Sequence, residues 1–450
     1  MDQTATKSQR RAAGRKLRSQ CSRSAHAKWK VRSDDVVAVL EASDVGRLKK
    51  LLPVRYGRMS QSPFTFFRGS AAIQARDLAG SPSSQIVVQL CGDCHLMNFG
   101  GFATPERRLA FDINDFDETF PGPFEWDVKR LAVSLLFAAR SNNFGERCVE
   151  KVVRASVASY RSRIAEFADR TILERWYEGI GFEDLIEFFS DCRKTGRTLR
   201  KTGRKAAKRT SESVFPKLTR IVDGKAKIID DRPLICHAYK KIAGWQKTAA
   251  TILAQYKATA SADLQHLLSR YEFEDAALKV VGIGSVGTRC YVALFLANRE
   301  EPLFLQIKEA RRSVLEPPGR KSRFAHEGER VVNGQRLMQA AGDIFLGWTE
   351  LPGHHEFYVR QLRDMKVSAD IASFGPRVLT NYATMCGWAL ARAHAKAGDA
   401  DTIAGYLGGG DAFDSAIVEY SKAYAPQVEH DYSAMQAAIR SGRLPADVEA

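Results

Sequence analysis

Between Val280 and Leu296 the chain reads VVGIGSVGTRCYVALFL, and the residues after the glycines limit the fold more than the glycines do. Gly282, Gly284 and Gly287 have the spacing G-x-G-x-x-G, which lets backbone approach phosphates in two unrelated settings. In one, the loop opens a helix whose N-terminus holds a pyrophosphate. In the other, it is the turn between two antiparallel strands lying over nucleotide phosphates. Thr288, Cys290, Tyr291, Val292 and Phe295 are weak helix formers and good strand residues. The stretch therefore predicts β-turn-β with Ser285 in the loop. An ordinary glycine-rich hairpin is the bland alternative. About twenty residues on, LFLQIKEA places Lys308 in an apolar strand, where an amine is unfavourable unless anions meet it. Nucleotide phosphates and a carboxylate from the next helix would do so. Glu327 and Glu329 stand two apart there, so one can face Lys308, and Glu329 is taken as that partner. A lysine snorkelling from an edge strand competes with this reading.

A second polar centre lies far upstream. VQLCGDCHLMNFG (88–100) and LAFDINDFDET (109–119) each end an apolar strand in polar chemistry, bringing Asp93, His95, Asn98, Asp112, Asp115 and Asp117 into a short span. Phosphoryl transfer needs a carboxylate to take the acceptor hydroxyl's proton and oxygen ligands for magnesium. Asp93 suits the base, and Asn98 and Asp115 offer the hard oxygen donors magnesium prefers. Other readings stand beside this one. DINDFD resembles the start of a calcium loop, but Phe116 takes a ligand position and the following Gly is missing. A two-metal phosphoesterase needs more histidines than cluster here. The carboxylates could also simply cap turns. Cys91 and Cys94 form C-x-x-C, a redox or zinc spacing, but no second pair accompanies them and the Asp of the motif lies between them.

The net charge of +16 is concentrated. Residues 1–32 hold ten Lys/Arg and one acid, and 193–209 hold nine Lys/Arg and no acid, so the remainder is near neutral. The two segments read either as solvated flexible appendages or as docking sites for an anionic partner such as nucleic acid or a membrane surface. The leader could also be a targeting segment. The longest apolar runs, such as LAVSLLFAA from Leu131, are too short to span a bilayer, and scattered cysteines suggest a reducing, cytoplasmic setting. Along the chain the pattern divides into a basic leader with a short helix (1–50), a part with two strands, helices and a basic loop (51–275), an antiparallel-sheet part (276–365) and terminal helices (366–450). RIVDGKAKII (220–229) carries a hairpin signature at Asp-Gly, and helical spacing resumes at 237–270.

GDCHLMNFG and INDFDE resemble the catalytic and metal-binding motifs of the aminoglycoside phosphotransferase and choline kinase branch of the protein-kinase-like superfamily. YGRMSQSPFTFFRGSAA, CGDCHLMNFGGFATPERR, FDINDFDETFPGPFEWDVKRL, VGIGSVGTRCYV, LQIKEA, GERVVNGQRLMQ and FYVRQLRDMK are similar to the bacterial domain of unknown function 2252 over nearly the whole chain after about residue 25. The superfamily resemblance implies an α+β two-lobe fold that uses ATP and Mg2+. It implies Gly282, Gly284 and Gly287 at the phosphates, Lys308 as their anchor with Glu329 as helix partner, Asp93 as base, Asn98 and Asp115 as metal ligands, and Asp127 as a structural Asp capping the next helix. Cys91 stands where those enzymes usually have His. The order is also reversed, since the carboxylate loop precedes the glycine loop. Circular permutation explains this and predicts that the helix in MCGWALARAHAKAGD (385–399) packs beside the strand at 84–90. The implied activity is phosphotransfer to a small hydroxylated substrate. Nucleotidyl transfer, a non-catalytic nucleotide-binding regulatory module and a metal-dependent phosphoesterase are the alternatives.

Overall fold

The computed structural model describes residues 4–31, 35–190, 193–237, 245–316, 322–351, 353, 355–362 and 365–447. The chain is mixed α+β, with many helices and several small antiparallel sheets. Among the described residues no helix is long and apolar enough to cross a membrane.

The basic leader is folded, which corrects its reading as a solvated appendage. Helix α1 (Lys7–Leu17) starts in a capping box, with the Thr6 hydroxyl accepting from Gln9 N and the Gln9 side chain accepting from Thr6 N. Five of the leader's cations are taken up internally, while Arg15, Lys16, Lys28 and Lys30 stay exposed. Lys7 Nζ donates to the carbonyls of Ala168, Asp169 and Arg170 at 3.0, 3.0 and 2.7 Å. Arg10 and Arg11 meet Asp399, Asp401 and Asp169. Arg18 donates to the carbonyls of Gly405 and Tyr406, and Arg23 to that of Leu407. Cations at helix C-termini satisfy the last carbonyls and the dipole together. Residues 1–3 and Arg32 lie outside the described residues.

Four short helices come next: α2 (Val36–Asp44), α3 (Leu52–Met59), α4 (Pro63–Gly69) and α5 (Ala71–Ala79). Strand β1 (Val87–Leu90) leads into the first polar loop. β2 (Phe99–Ala103) and β3 (Leu109–Ile113) form a hairpin, and β4 (Phe120–Pro123) returns antiparallel to β1. The strands expected at 84–90 and at the start of LAFDINDFDET are β1 and β3. β2, FGGFA, has no strand-like composition and exists through its pairing with β3. Helices α6 (Glu125–Ser141) and α7 (Glu146–Asp169) follow, and α6 is buried on almost every face. α8 (Ile172–Tyr177) and α9 (Phe182–Phe188) are short.

The basic run at 193–209 is helical, which corrects its assignment as a loop. Helix α10 (Arg193–Ala207) buries Ala206 and sets Gly203 against Phe182, while Arg197, Arg200, Lys201, Arg204 and Lys205 are exposed. After α11 (Ser211–Leu218), β5 (Thr219–Val222) and β6 (Lys225–Ile228) form the hairpin expected at Asp-Gly, with Asp223 at φ 51° and Gly224 at φ 72°. Then come β7 (Ile235–Cys236), α12 (Trp245–Thr259) and α13 (Ala262–Leu268); of the helical stretch expected from 237, residues 238–244 lie outside the described residues.

The main sheet contains the glycine loop. β8 (Glu272–Lys279), β9 (Cys290–Ala297) and β10 (Glu301–Glu309) form a meander. Helix α14 (Glu327–Met338) follows, then β11 (Gly347–Leu351) and β12 (His355–Gln361), giving the order β11-β12-β10-β9-β8-β7. Along β9, Ala293 and Phe295 pack with Tyr256 and Leu264 from α12 and α13, while Val292 and Leu294 pack with Ala226 and Ile228 of the β5–β6 hairpin. Period-two alternation thus feeds a core on each face. β13 (Val367–Ser368) adds to β2. The chain ends in α15 (Pro376–Ala397), α16 (Ala400–Leu407) and α17 (Ala412–Arg440).

The segment 385–399 does pack against β1. A Cβ at Gly398 would fall 3.1 Å from the Val88 Cβ, and Tyr382 donates to the carbonyls of Leu96 and Phe99 at 3.3 and 3.0 Å.

Candidate functional site

One face of α6 shapes the loop that carries Asp93. Asp127 accepts the N–H groups of Cys91 at 2.8 Å and Gly92 at 3.1 Å. Arg130, one turn on, donates to Asp93 Oδ1 at 2.9 and 2.8 Å, and Ser134 Oγ accepts from Leu96 N at 2.9 Å. Positions i, i+3 and i+7 share a helix face, so a single stripe fixes the loop. Asp127 therefore caps this loop and lies in the first turn of its own helix, which corrects its expected role as that helix's cap. Its carboxylate also meets His394 Nε2 of α15 at 3.2 Å. Gly92 sits at φ +96°, where only glycine is unstrained, and the carbonyl of Glu118 crowds the space a side chain would need. Asn98 Nδ2 closes the loop by donating to the Asp93 carbonyl at 2.7 Å. Arg130 engages only one carboxylate oxygen of Asp93 through these bonds. The other, Oδ2, lies 3.7 Å from His95 Nε2.

The second carboxylate group divides. Asp112 is a buried anchor that accepts from Arg392 at 2.9 and 2.8 Å and from Ala340 N at 2.9 Å. Asp115 and Asp117 meet Lys308. The amine lies 3.3 Å from Asp115 Oδ2, is ion-paired with Asp117, and is itself buried. Tyr358 donates to Asp117 Oδ1 at 2.7 Å. Burial would lower the Lys308 pKa, but Asp115 and Asp117 reverse this and hold it well above its ordinary value. Burial pushes the Asp115 carboxyl up, yet Lys308, Arg360 and Lys366 bring it below the usual carboxylate range. Asp117 goes the other way, raised by burial and by the Asp115 charge. The expected pairing of Lys308 with Glu329 is thus corrected. In β10 the Lys308 side chain reaches the 115–117 loop, while Glu327 pairs with Arg330 and Glu329 N donates to His326 Nδ1.

The glycine loop is the turn between β8 and β9, as its strand-forming flank predicts. Gly282 and Gly287 have φ of 68° and 89°. Arg58 donates to the Gly282 carbonyl at 2.8 Å, Arg47 to that of Val286 at 2.6 Å, and Leu48 N to that of Gly287 at 2.7 Å. Ser285 Oγ turns back to the Val281 carbonyl at 3.0 Å. Gly284 forms the tip, where a Cβ would fall 3.5 Å from the Arg68 carbonyl oxygen and 3.9 Å from Asp93 Oδ2. The tip therefore lies directly over the open side of Asp93.

These parts line one cavity of about 410 Å³, with Asp93, Asn98, Asp115, Gly282, Gly284 and Ser285 on its wall. Lys308 reaches it through Asp115 and Asp117. The sequence reading missed the α2–α5 cover, which brings Arg47, Arg55 and Arg68 to the same cavity, and it missed Arg130. For Arg130 a signal existed, because Asp127, Arg130 and Ser134 recur at i, i+3 and i+7 as one polar stripe of a largely buried helix. Burial depresses His95 to about 4, so its ring is neutral, and lifts Glu118 to about 7. Cys91, Cys94 and Asp127 lie close enough to share a cation. Burial lifts both thiols, Cys94 to about 11, and the Asp127 oxygens already serve two amides and His394, so the trio fits a packed corner better than zinc or redox chemistry.

The fold and the site define a mixed α+β protein in which a strand-borne glycine loop, a buried lysine and a carboxylate loop converge on one cavity. The chain belongs to the family DUF2252, described as an uncharacterized protein conserved in bacteria, whose sequence model matches residues 47–438. Comparison with curated proteins and with solved structures gave no match.

Proposed function

We propose that the chain is an ATP- and magnesium-dependent phosphotransferase of circularly permuted kinase-like architecture, acting on a small hydroxylated substrate. The observation that carries this reading is the approach of the Gly284 tip to Asp93 Oδ2, in the cavity that Asp115 also lines. Phosphoryl transfer asks mainly for positioning and charge stabilisation. Arg130 fixes one Asp93 oxygen and leaves the other facing the cavity, a suitable acceptor for a hydroxyl proton. Asn98 and Asp115 supply the hard oxygens a magnesium ion requires, with Asp117 beside them. Bound magnesium would neutralise phosphate charge there. Lys308 now balances Asp115 and Asp117, and phosphates would offer its amine a second set of anionic partners. The packing of Gly398 and α15 against β1 supports the permutation, because it joins segments some three hundred residues apart.

The test is thermal-shift binding of ATP with and without magnesium, on wild type, Lys308→Ala and Asp115→Ala. A ligand at about 100 times its Kd stabilises by about 2.7 kcal/mol. A magnesium-dependent shift that both variants lose is expected. No shift with any nucleotide, from folded wild type, sinks the reading. Asp93→Ala should then keep binding and lose turnover; retained cellular function in that variant would instead mark a non-catalytic module.

A further inference from the structure

The α2–α5 cover brings one further charged group to the cavity. Arg68, in the PFTFFRG turn of α4, lines it, and the Gly284 tip rests against its carbonyl at the point where the tip also meets Asp93. The other cations around the cavity are engaged. Lys308 is held by Asp115 and Asp117, and Arg130 by Asp93, Gln74 and the Phe67 carbonyl. Arg47 donates to the carbonyls of Ser43 and Val286, and Arg55 to Asp44 and Ser43. Arg311 donates to the Val45 carbonyl, and Arg312 pairs with Glu316. Arg68 differs. Its guanidinium lies over the Phe64 ring, 5.7 Å from the centroid, and its Nε is buried with no hydrogen-bond partner among the described residues. Arg68 is half-buried; a buried N–H without an acceptor is unfavourable, and the rest of the guanidinium is not closed off in this way. Burial already pulls Arg68 below its ordinary pKa, and Asp93 opposes this. A group in this condition, lining the cavity beside a glycine loop, has N–H donors to offer an anion there.

We infer that Arg68 is a catalytic residue whose guanidinium binds the terminal phosphate of a nucleoside triphosphate and stabilises the phosphoryl group during transfer. This rests on the phosphotransferase reading above. In the step, the acceptor oxygen bonds to the terminal phosphorus. The bond from that phosphorus to the bridging oxygen breaks, and its electron pair leaves on the diphosphate. The hydroxyl proton passes to Asp93. The peripheral phosphoryl oxygens carry charge throughout, and a planar guanidinium can donate two parallel bonds to them, which an ammonium cannot.

The experiment is calorimetric titration of ATP and of ADP, each with magnesium, into the full chain as wild type, Arg68→Ala and Arg68→Lys. Ligand-free unfolding midpoints are compared first, and Arg68→Gln, which retains the aliphatic part of the side chain, replaces the alanine variant if that one is unfolded. Arg68→Ala should lose about 10- to 100-fold in ATP affinity, the range for a charged hydrogen bond, while ADP affinity stays within about twofold. Arg68→Lys should recover part of the loss. An equal loss for both nucleotides, or no loss for either, overturns the assignment and leaves the nucleotide cleft standing. Wild type that is folded and binds neither nucleotide overturns the parent reading, and the assignment with it.

Discussion

Asp127 shows how much one buried carboxylate can organise. It satisfies two backbone N–H groups in the loop that positions Asp93 and touches His394 of a helix distant in sequence. Asp127→Ala leaves those donors unpaired inside the protein, so a loss of about 2–4 kcal/mol is expected by urea unfolding. A loss under about 0.5 kcal/mol would mean the loop does not depend on this cap. His95 gives a pH prediction. Its folded pKa of about 4 lies below the ordinary 6.5, because burial disfavours the imidazolium. Between those values the unfolded chain binds more protons, so the contribution is whole above pH 6.5 and is lost as pH falls through 4. His26, buried against Tyr406, acts in the same direction, and Glu118, lifted to about 7, acts in the opposite one. The difference between wild type and His95→Gln isolates the one group. The variant's acid limb should be shallower by up to about 1.4 kcal/mol per pH unit between about pH 6 and 5. Identical limbs would mean His95 is not buried neutral.

At the scale of elements, α1 and α16 cross at small residues. A Cβ at Gly14 would fall inside contact distance of the Thr402 carbonyl oxygen and 2.8 Å from Tyr406 N, and Gly405 stands as close to Arg11 backbone. Helix propensity alone makes Gly14→Ala stabilising by about 1 kcal/mol. The crossing reverses the sign, since rigid backbone cannot give way, and a net loss of about 2 kcal/mol is expected in urea melts. A stabilised variant would show that the two helices do not pack this closely. Element type was largely legible beforehand. The β8–β9 turn followed from β-branched and aromatic residues after the glycines, and the β5–β6 hairpin from Asp223-Gly224, because both signals are local. β2 was not legible, since FGGFA becomes a strand only when β3 offers its edge. Nor was the leader's helix, whose cations look solvated until the carbonyl ends of α7 and α16 are brought to them.

For the molecule as a whole, the excess positive charge separates into two kinds. Lys7, Arg10, Arg11, Arg18 and Arg23 hold elements together, whereas α10 presents Arg197, Arg200 and Arg204 to solvent. Reversing those three to Glu should shorten retention on a heparin column and leave the urea midpoint almost unchanged, because exposed charges contribute little to stability. Arg18→Ala should do the opposite, lowering the midpoint with little effect on retention. Unchanged retention in the α10 variant would remove the anionic-partner reading for 193–209.

The sequence by itself determined that a glycine turn joins two strands, that carboxylates end β1 and β3, that Lys308 lies in an apolar strand, and which family the chain belongs to. Each rests on residue type and short-range spacing, which act within a few positions. Only the tertiary structure decided that Lys308 answers to Asp115 and Asp117 in place of Glu329, that Arg130 orients Asp93, and that Arg68 reaches the same cavity. Those pairings join residues dozens to hundreds of positions apart, where no local period operates and a buried charge takes whichever opposite charge the packing brings near.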